Sequence, residues 1–331
     1  MKKSERTQFL LIFSLIILMS FFSLSFAHAK SVLYGYTPGG QAVVNLTQEA
    51  FMKKYPDIEV KFTSGGNGPM ATRIIAEKDN PLASVVFGMM EGYLKTVRDA
   101  GGFEPYRRKE IDKVDKRFKD PDDFFYGDNI VVVALGVNTK ILKEKNLPMP
   151  KTWEDLVNPG YKGLINVASP AQSGTAMILF TNLYDMFGGW DLIDKIHKNI
   201  FQYNTSGSAA ARQAARGEVV IGITFDFAIT PMKKEGFPIE IVYPPNSIYD
   251  IEGSALLHGA KSPTEAKLFL DFLSSKEYQT ALAKIVSGVT RTDIKVGGDG
   301  STSLSDLKLY KLKKNYDIKK FADEWSKRFG K

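Results

Sequence analysis

Two hydrophobic periods succeed one another along the chain. Residues 58–62 alternate apolar and polar positions as a half-buried strand does, and residues 32–36 also predict a strand, whereas residues 41–55 have the period of an amphipathic helix. The order continues with a predicted helix from Pro69 to about residue 78, a buried strand over residues 84–87 and a helix over residues 91–100. Strands that alternate with helices in this way indicate an α/β fold with parallel strands.

The pattern also predicts two lobes and a hinge. Residues 130–137 are continuously apolar, as in a central strand, and we place a crossing between lobes near Gly136. A strand-like run over residues 254–258, followed by a helix to residue 274, predicts the return. The first lobe would comprise residues 30–135 and 254–300, and the second residues 136–253 and 301–331. An amphipathic helix is predicted over residues 315–329, and the pattern does not decide against which lobe it packs.

The first 29 residues have the composition of a secretory signal peptide. Basic residues precede an apolar stretch over residues 9–26, which ends at an A-x-A motif closing at Ala29. A membrane anchor is the alternative, but the stretch is only marginally long enough to span a bilayer. We therefore expect a mature protein that begins at Lys30 and is released into the periplasm.

Composition narrows the function further. Removal of the signal peptide would lower the net charge from +7 to +5, and the remaining lysines are scattered among acids, so nucleic-acid binding is not expected. The chain has no cysteine, which excludes disulfides, lipid attachment at cysteine and thiolate metal sites. We expect a monomer with no cofactor and no bound metal.

Three segments place small polar or glycine residues just before predicted helices. They are Thr63-Ser64-Gly65-Gly66, Ser173-Gly174-Thr175 and Thr205-Ser206-Gly207-Ser208. The first turn of a helix carries unpaired N–H groups and a partial positive charge, so it can bind phosphate, phosphonate or carboxylate. For any one segment, a simple N-cap or turn is the more common explanation, and the ligand role is predicted from the three taken together in both lobes. A fourth candidate is Tyr36-Thr37, at the carboxyl end of the first strand, where α/β folds bind ligands.

Enzymatic readings receive little support. Residues 66–71 match a loose dinucleotide fingerprint with Glu91 downstream, but Pro69 lies inside the motif and export separates the protein from cytoplasmic cofactors. The motifs G-x-S-x-G and H-E-x-x-H are absent, and only His197 and His258 follow the signal peptide. We therefore predict a binding protein, with a secreted hydrolase as an alternative.

The middle of the chain has motifs whose order and spacing resemble the periplasmic ferric-ion-type solute-binding proteins. The motifs are Trp153-Glu154-Asp155-Leu156, Asn158-Pro159-Gly160-Tyr161-Lys162-Gly163, Ser169-Pro170-Ala171-Gln172-Ser173-Gly174-Thr175-Ala176, and Ser206-Gly207-Ser208 with Ala210-Ala211-Arg212. The resemblance extends over residues 32–291. It implies a type II periplasmic binding protein fold, with two Rossmann-like lobes on a two-strand hinge, and an ABC permease with its ATPase as partners.

The sequence departs from the iron-binding members of that family. Those members resemble one another in having tandem tyrosines shortly after a Gly-Glu-Val segment, but here residues 217–219 are followed by Thr224-Phe225-Asp226-Phe227. Phenylalanine offers no oxygen to ferric ion. Iron binding stays an alternative, with Tyr34, Tyr36 or Tyr203 as substitutes.

The same departure favours the branch that binds 2-aminoethylphosphonate, sugar phosphates or thiamine phosphates. By that resemblance, an anionic group would meet the three helix-start segments and the Tyr36-Thr37 loop, and Asp226 and Glu252 would face the other end of the ligand. The predicted site residues are Tyr36, Thr37, Ser64, Gly65, Gly66, Ser173, Gly174, Thr175, Ser206, Gly207, Asp226 and Glu252.

Overall fold

A computed structural model describes residues 30–294, 307–310, 312–313 and 316–330. The predicted signal peptide, residues 1–29, and the Gly- and Ser-rich residues 297–305, for which the sequence predicts a polar loop, lie outside these ranges. Among the described residues, no helix combines the length and the apolar character needed to cross a membrane.

The elements alternate between strands and helices, as the sequence predicts. The strands are β1 (Ser31–Thr37), β2 (Ile58–Ser64), β3 (Val85–Met90), β4 (Phe103–Glu104), β5 (Phe125–Asn138), β6 (Ile165–Ala168), β7 (Ile200–Asn204), β8 (Ile221–Phe225), β9 (Ile239–Val242), β10 (Tyr249–Leu257) and β11 (Gly288–Val289). The α-helices are α1 (Gln41–Lys54), α2 (Asn67–Glu77), α3 (Glu91–Asp99), α4 (Thr139–Glu144), α5 (Gly174–Phe187), α6 (Asp191–His197), α7 (Ala209–Arg216), α8 (Asp226–Lys234), α9 (Pro263–Ser274), α10 (Lys276–Leu282) and α11 (Ile318–Phe329).

The long strand β5 passes through both lobes. The strand order is β2-β1-β3-β10-β5-β8-β6-β7. In addition, β4 pairs with β10, and β9 and β11 pair with β5. The first part of β5 pairs with β10 as far as Val132, opposite Tyr249, and the second part pairs with β8 from Val133, opposite Phe225. This pairing favours a first crossing at Val132–Val133, slightly before Gly136, and a second crossing ahead of Tyr249.

The parallel strands of each lobe direct their carboxyl ends into the cleft. In one lobe β1 pairs in parallel with β2 and β3, and in the other β6 pairs in parallel with β7 and β8. Helix α2 follows β2, α5 follows β6, and α7 follows β7. The first turns of these helices therefore lie at the strand ends, which is the usual place for a ligand in an open α/β sheet.

Helix α2 begins earlier than the sequence predicts. It starts at Asn67 after the extended residue Gly66, so Pro69 is the third helical residue instead of the first. Proline is tolerated there because the N–H groups of the first turn have no partner within the helix.

The C-terminal helix packs on the second lobe. Trp325 is fully buried, and its ring centroid lies 4.8 Å from that of Tyr203 and 6.2 Å from that of Phe180 in α5. The preceding segment is held by Asp185 of α5, which accepts hydrogen bonds from the hydroxyls of Tyr310 and Tyr316, each at 2.8 Å. The C-terminal segment therefore packs against α5, the helix whose first turn faces the other lobe.

Replacing Trp325 tests this packing. We expect Trp325→Ala to lower the free energy of unfolding by about 3–5 kcal/mol, because it leaves a cavity among aromatic rings. The control Trp325→Phe keeps a ring and loses no indole hydrogen bond, since Nε1 has no partner among the described residues. It should cost about 1.5 kcal/mol or less. Denaturant titration measures both, and an unaltered midpoint for the alanine variant would remove α11 from the folded core.

Candidate functional site

Three helices begin at the cleft without a side-chain cap. Gly66 precedes α2, Ser173 precedes α5 and Ser208 precedes α7, and none of these residues accepts a capping hydrogen bond on its side chain. The first turns also contain no acidic residue. Each helix start therefore keeps N–H donors and a partial positive charge that the local sequence does not neutralise.

The starts of α2 and α5 lie against each other across the cleft. A β carbon placed on Gly66 would lie 2.8 Å from the carbonyl oxygen of Gln172, and one placed on Gly174 would lie 2.6 Å from Nδ2 of Asn67. Real side chains do not tolerate such distances, so the close approach depends on glycine at both positions. The structure thus brings together two segments that are distant in sequence and belong to different lobes.

The loop before α7 joins the same place. A β carbon on Gly207 would lie 3.2 Å from Ser173 Oγ and would also meet Thr175 Oγ1. The side chains of Ser173 and Thr175 are largely buried, whereas Ser206 is exposed, with its hydroxyl 3.2 Å from that of Ser208. Hydroxyls and helix N–H groups of the second lobe therefore converge around Ser173.

Ser64 and Gly65 lie at the exposed end of β2, directly before α2. The N–H of Gly65 donates to the carbonyl oxygen of Thr37 at 3.2 Å, which ties the end of β2 to the β1–α1 loop. In that loop Gly40, just before α1, meets the ring of Phe227 in the other lobe, 2.9 Å from the position of a β carbon. The two lobes are thus in contact on this side of the cleft as well.

Tyr36 and Thr37 have their polar atoms engaged within the first lobe. The Tyr36 hydroxyl donates to Glu77, and Arg73 lies over its ring at 4.7 Å. Burial, followed by the hydrogen bond to Glu77, raises the pKa of Tyr36 to about 12. Thr37 is fully buried, and its Oγ1 accepts from the N–H of Gly39 at 3.1 Å. Both residues shape the loop, and their side chains are committed to protein partners.

Asp226 is also satisfied by protein donors. Its carboxylate accepts from the Ser287 hydroxyl on both oxygens, from the Tyr243 hydroxyl at 2.9 Å and from the Phe227 N–H at 2.8 Å. Burial raises its pKa, although these hydrogen bonds oppose the shift. Ser287 directly precedes β11, which pairs with the first part of β5, so this contact joins the two lobes.

Glu252 lies in β10 between Met90 of β3 and Asn129 of β5. One carboxyl oxygen accepts from Asn129 Nδ2 at 3.1 Å, and burial raises its pKa to about 7. The side-chain oxygen of Asn129 is buried without a hydrogen-bond partner in the described chain. Met90 also reaches the start of α5, since its Cγ lies 3.0 Å from the β-carbon position of Gly174. Glu252 therefore lies in the hinge region, and its neighbour across the strand pair, Met90, contacts the start of α5.

Four residues near the junction of the lobes are not predicted as site residues from the sequence. Asn67, Gln172 and Phe227 lie where the lobes meet, and Asn129 lies beside Glu252. Asn67 lies within residues 66–71, the segment with the loose dinucleotide fingerprint. A polar residue at the start of a predicted helix is a signal that could have pointed to Asn67. The other three have no local signal, because their roles depend on contacts made in three dimensions.

The described ranges contain no group of three or more histidine, aspartate and glutamate residues placed to hold a metal ion. The three tyrosines proposed as alternative iron ligands have different surroundings. Tyr34 is half exposed, and the Tyr36 hydroxyl donates to Glu77. The Tyr203 hydroxyl lies 2.8 Å from Nδ1 of His197. His258 lies 3.6 Å from Glu104 after β10.

The chain crosses twice between two α/β lobes, and polar helix starts from both lobes meet where the lobes face each other. This arrangement defines a type II periplasmic binding protein. The model of the bacterial extracellular solute-binding protein family matches residues 80–295, and the chain belongs to that family.

Relatives and solved structures agree with this assignment. The chain is 32% identical to an uncharacterized protein from Haemophilus influenzae, over 89% of this chain and 87% of that one. It is 24% identical, over 84% and 85%, to a Salmonella paratyphi A protein named as a 2-aminoethylphosphonate-binding periplasmic protein. The periplasmic binding protein AfuA from Actinobacillus pleuropneumoniae, solved with fructose-6-phosphate bound, superposes with a TM-score of 0.80 at 32% identity, covering 91% of this chain and 96% of that one.

Glu252 predicts a pH-dependent stability. Its pKa is about 7 in the folded protein against an ordinary value of 4.5. Between these pH values the unfolded chain loses the proton that the folded protein keeps. The free energy of unfolding is therefore lowered progressively from pH 4.5 to 7, and this loss levels off at about 3 kcal/mol. Glu252→Gln should therefore stabilise the protein by up to that amount at pH 8 and leave it unaltered at pH 4.

Denaturant titration at the two pH values measures this difference. The control Glu235→Gln alters an exposed residue and should shift the free energy of unfolding by less than about 0.5 kcal/mol at either pH. A gain for Glu252→Gln that is equal at pH 4 and pH 8 would contradict the titration argument.

Proposed function

We propose that this protein captures a small phosphorylated or phosphonate-bearing organic molecule in the periplasm and delivers it to the permease and ATPase of an ABC importer. The observation that carries the proposal is the convergence of three uncapped helix starts, from both lobes, on one cleft. The family of the chain supports the transport role, and relatives named for an aminophosphonate or solved with a sugar phosphate support the ligand class.

A dianion suits the donors that meet in the cleft. Helix N-termini favour a negative charge by about 0.3–2 kcal/mol each, and hydrogen bonds to a charged oxygen contribute about 1.5–3 kcal/mol each. Lysine and arginine are not required for this binding. Arg73 is paired with Glu77 at 2.8 Å, and Arg212 is exposed on α7 with its guanidinium 3.2 Å from Ser208 Oγ. The anion would therefore be held by backbone N–H groups and by the hydroxyls of Ser173 and Thr175.

The organic part of the ligand would extend towards Glu252. Asp226 already accepts hydrogen bonds from three residues, so it is better suited to holding the lobes together than to binding cargo. Among the described residues, the Glu252 carboxyl accepts a hydrogen bond from Asn129 and forms no ion pair with a lysine or arginine. Its carboxyl can accept from a sugar hydroxyl or pair with an ammonium group.

The hydroxyl pair on α5 tests the anion site. We expect the double variant Ser173→Ala with Thr175→Ala to bind fructose 6-phosphate or 2-aminoethylphosphonate at least about tenfold more weakly, because two donors to a charged group are lost. Isothermal titration calorimetry measures the affinity, and circular dichroism establishes that the variant is folded. Unaltered affinity in the folded double variant would remove these residues from the site.

The cargo itself can be identified from purified protein. We expect protein isolated without added ligand to release, on denaturation, a compound with about one phosphorus atom per chain, which mass spectrometry would name. Phosphorus and iron are measured in the same fraction. Stoichiometric iron without phosphorus would overturn the ligand assignment and would leave the transport role in place.

A further inference from the structure

Asn67 is the first residue of α2, and only 5% of its surface is exposed. Its Oδ1 accepts a hydrogen bond from the backbone N–H of Met90 at 2.9 Å. Because Met90 directly precedes α3, this bond ties the start of α2 to the start of α3. The bond also fixes which way the amide faces, since turning the amide over would set its NH₂ group against another donor.

The NH₂ group of Asn67 faces the other lobe. Its Nδ2 lies 2.6 Å from the position that a β carbon of Gly174 would occupy, at the start of α5. Within the part of the chain that the structure describes, Nδ2 makes no hydrogen bond. Nδ2 is not one of the fully buried polar atoms that lack a hydrogen-bond partner, so this amide donor keeps contact with solvent and is available to an acceptor where the lobes meet.

The helix starts beside Nδ2 add further donors. Helices α2 and α5 both begin there without a side-chain cap and without an acidic residue in their first turns. Donors and partial positive charges from two lobes therefore face one another across a short gap, which opposes closure unless an acceptor with several lone pairs lies between them. A phosphate or phosphonate group has three such oxygens.

We propose that Asn67 is a ligand-binding residue whose Nδ2 donates to an oxygen of the bound anionic group, from the lobe opposite Ser173. This inference rests on the proposed function and adds a contact to it. Because Asn67 belongs to α2 and the hydroxyls belong to α5, one anion would bind both lobes at once. Ligand binding and lobe closure are then coupled through this residue, and a cationic group is rejected at the same position.

The test uses the full chain and three probes: inorganic phosphate, fructose 6-phosphate and 2-aminoethylphosphonate. Asn67→Asp keeps an acceptor for the Met90 N–H but replaces the donor with a negative oxygen, so the probe that binds the unaltered chain most tightly should bind about 100-fold more weakly. Asn67→Ser removes the amide without adding charge and should weaken binding about tenfold. The matched control Asn80→Asp makes the same charge change in the exposed turn after α2 and should stay within about twofold.

The outcomes separate this inference from the proposed function. If the Asn67 variants bind like the Asn80→Asp control while the Ser173→Ala, Thr175→Ala double variant is weakened, Asn67 is not a ligand contact and the anion site stands. If the unaltered chain binds none of the three probes, both proposals fail. If Asn67→Asp does not fold, the affinity of Asn67→Ser decides, and an unaltered value overturns the inference.

Discussion

The approach of uncapped helix starts from opposite lobes is the constraint on which the rest of the cleft depends. The loop before α2 ends at Gly66, which meets the backbone of Gln172, and α5 begins at Gly174, which meets the side chain of Asn67. Such ends repel one another through their dipoles and compete for acceptors. Under the proposed function, a negative group at the junction would favour this approach, and the same interaction would serve both recognition and closure.

The hinge has to keep the two lobes in register while they move. Strand β5 does this by pairing with β10 up to Val132 and with β8 from Val133, so one continuous strand belongs to both halves of the sheet. The hydrogen bond from Ser287 to Asp226 adds a polar contact between the lobes close to this point. The continuous strand and this hydrogen bond therefore connect the two lobes at the hinge.

Local patterns predicted the elements but not the directions of the polar side chains. The period-two strands, the apolar run of β5 and the glycine-rich helix starts were all visible in the sequence, because each is a property of neighbouring residues. The sequence predicts Tyr36 as a ligand contact, yet its hydroxyl donates to Glu77, and the role proposed for Asn67 depends on its contacts with Met90 and Gly174. These contacts join residues far apart in the chain, and no local periodicity encodes them.

The buried carboxylates show how the cleft can discriminate between the two ends of its ligand. Burial raises the pKa of Glu252 to about 7, so near neutral pH this group changes between a hydrogen-bond donor and an acceptor at little free-energy cost. The helix starts, in contrast, are fixed donors at every pH. An anionic group placed beside Glu252 would favour its protonated form, whereas the same group at the start of α5 would meet the helix N–H groups and the hydroxyls of Ser173 and Thr175. Under the proposed function, the asymmetry between the two positions would orient a ligand with one anionic end.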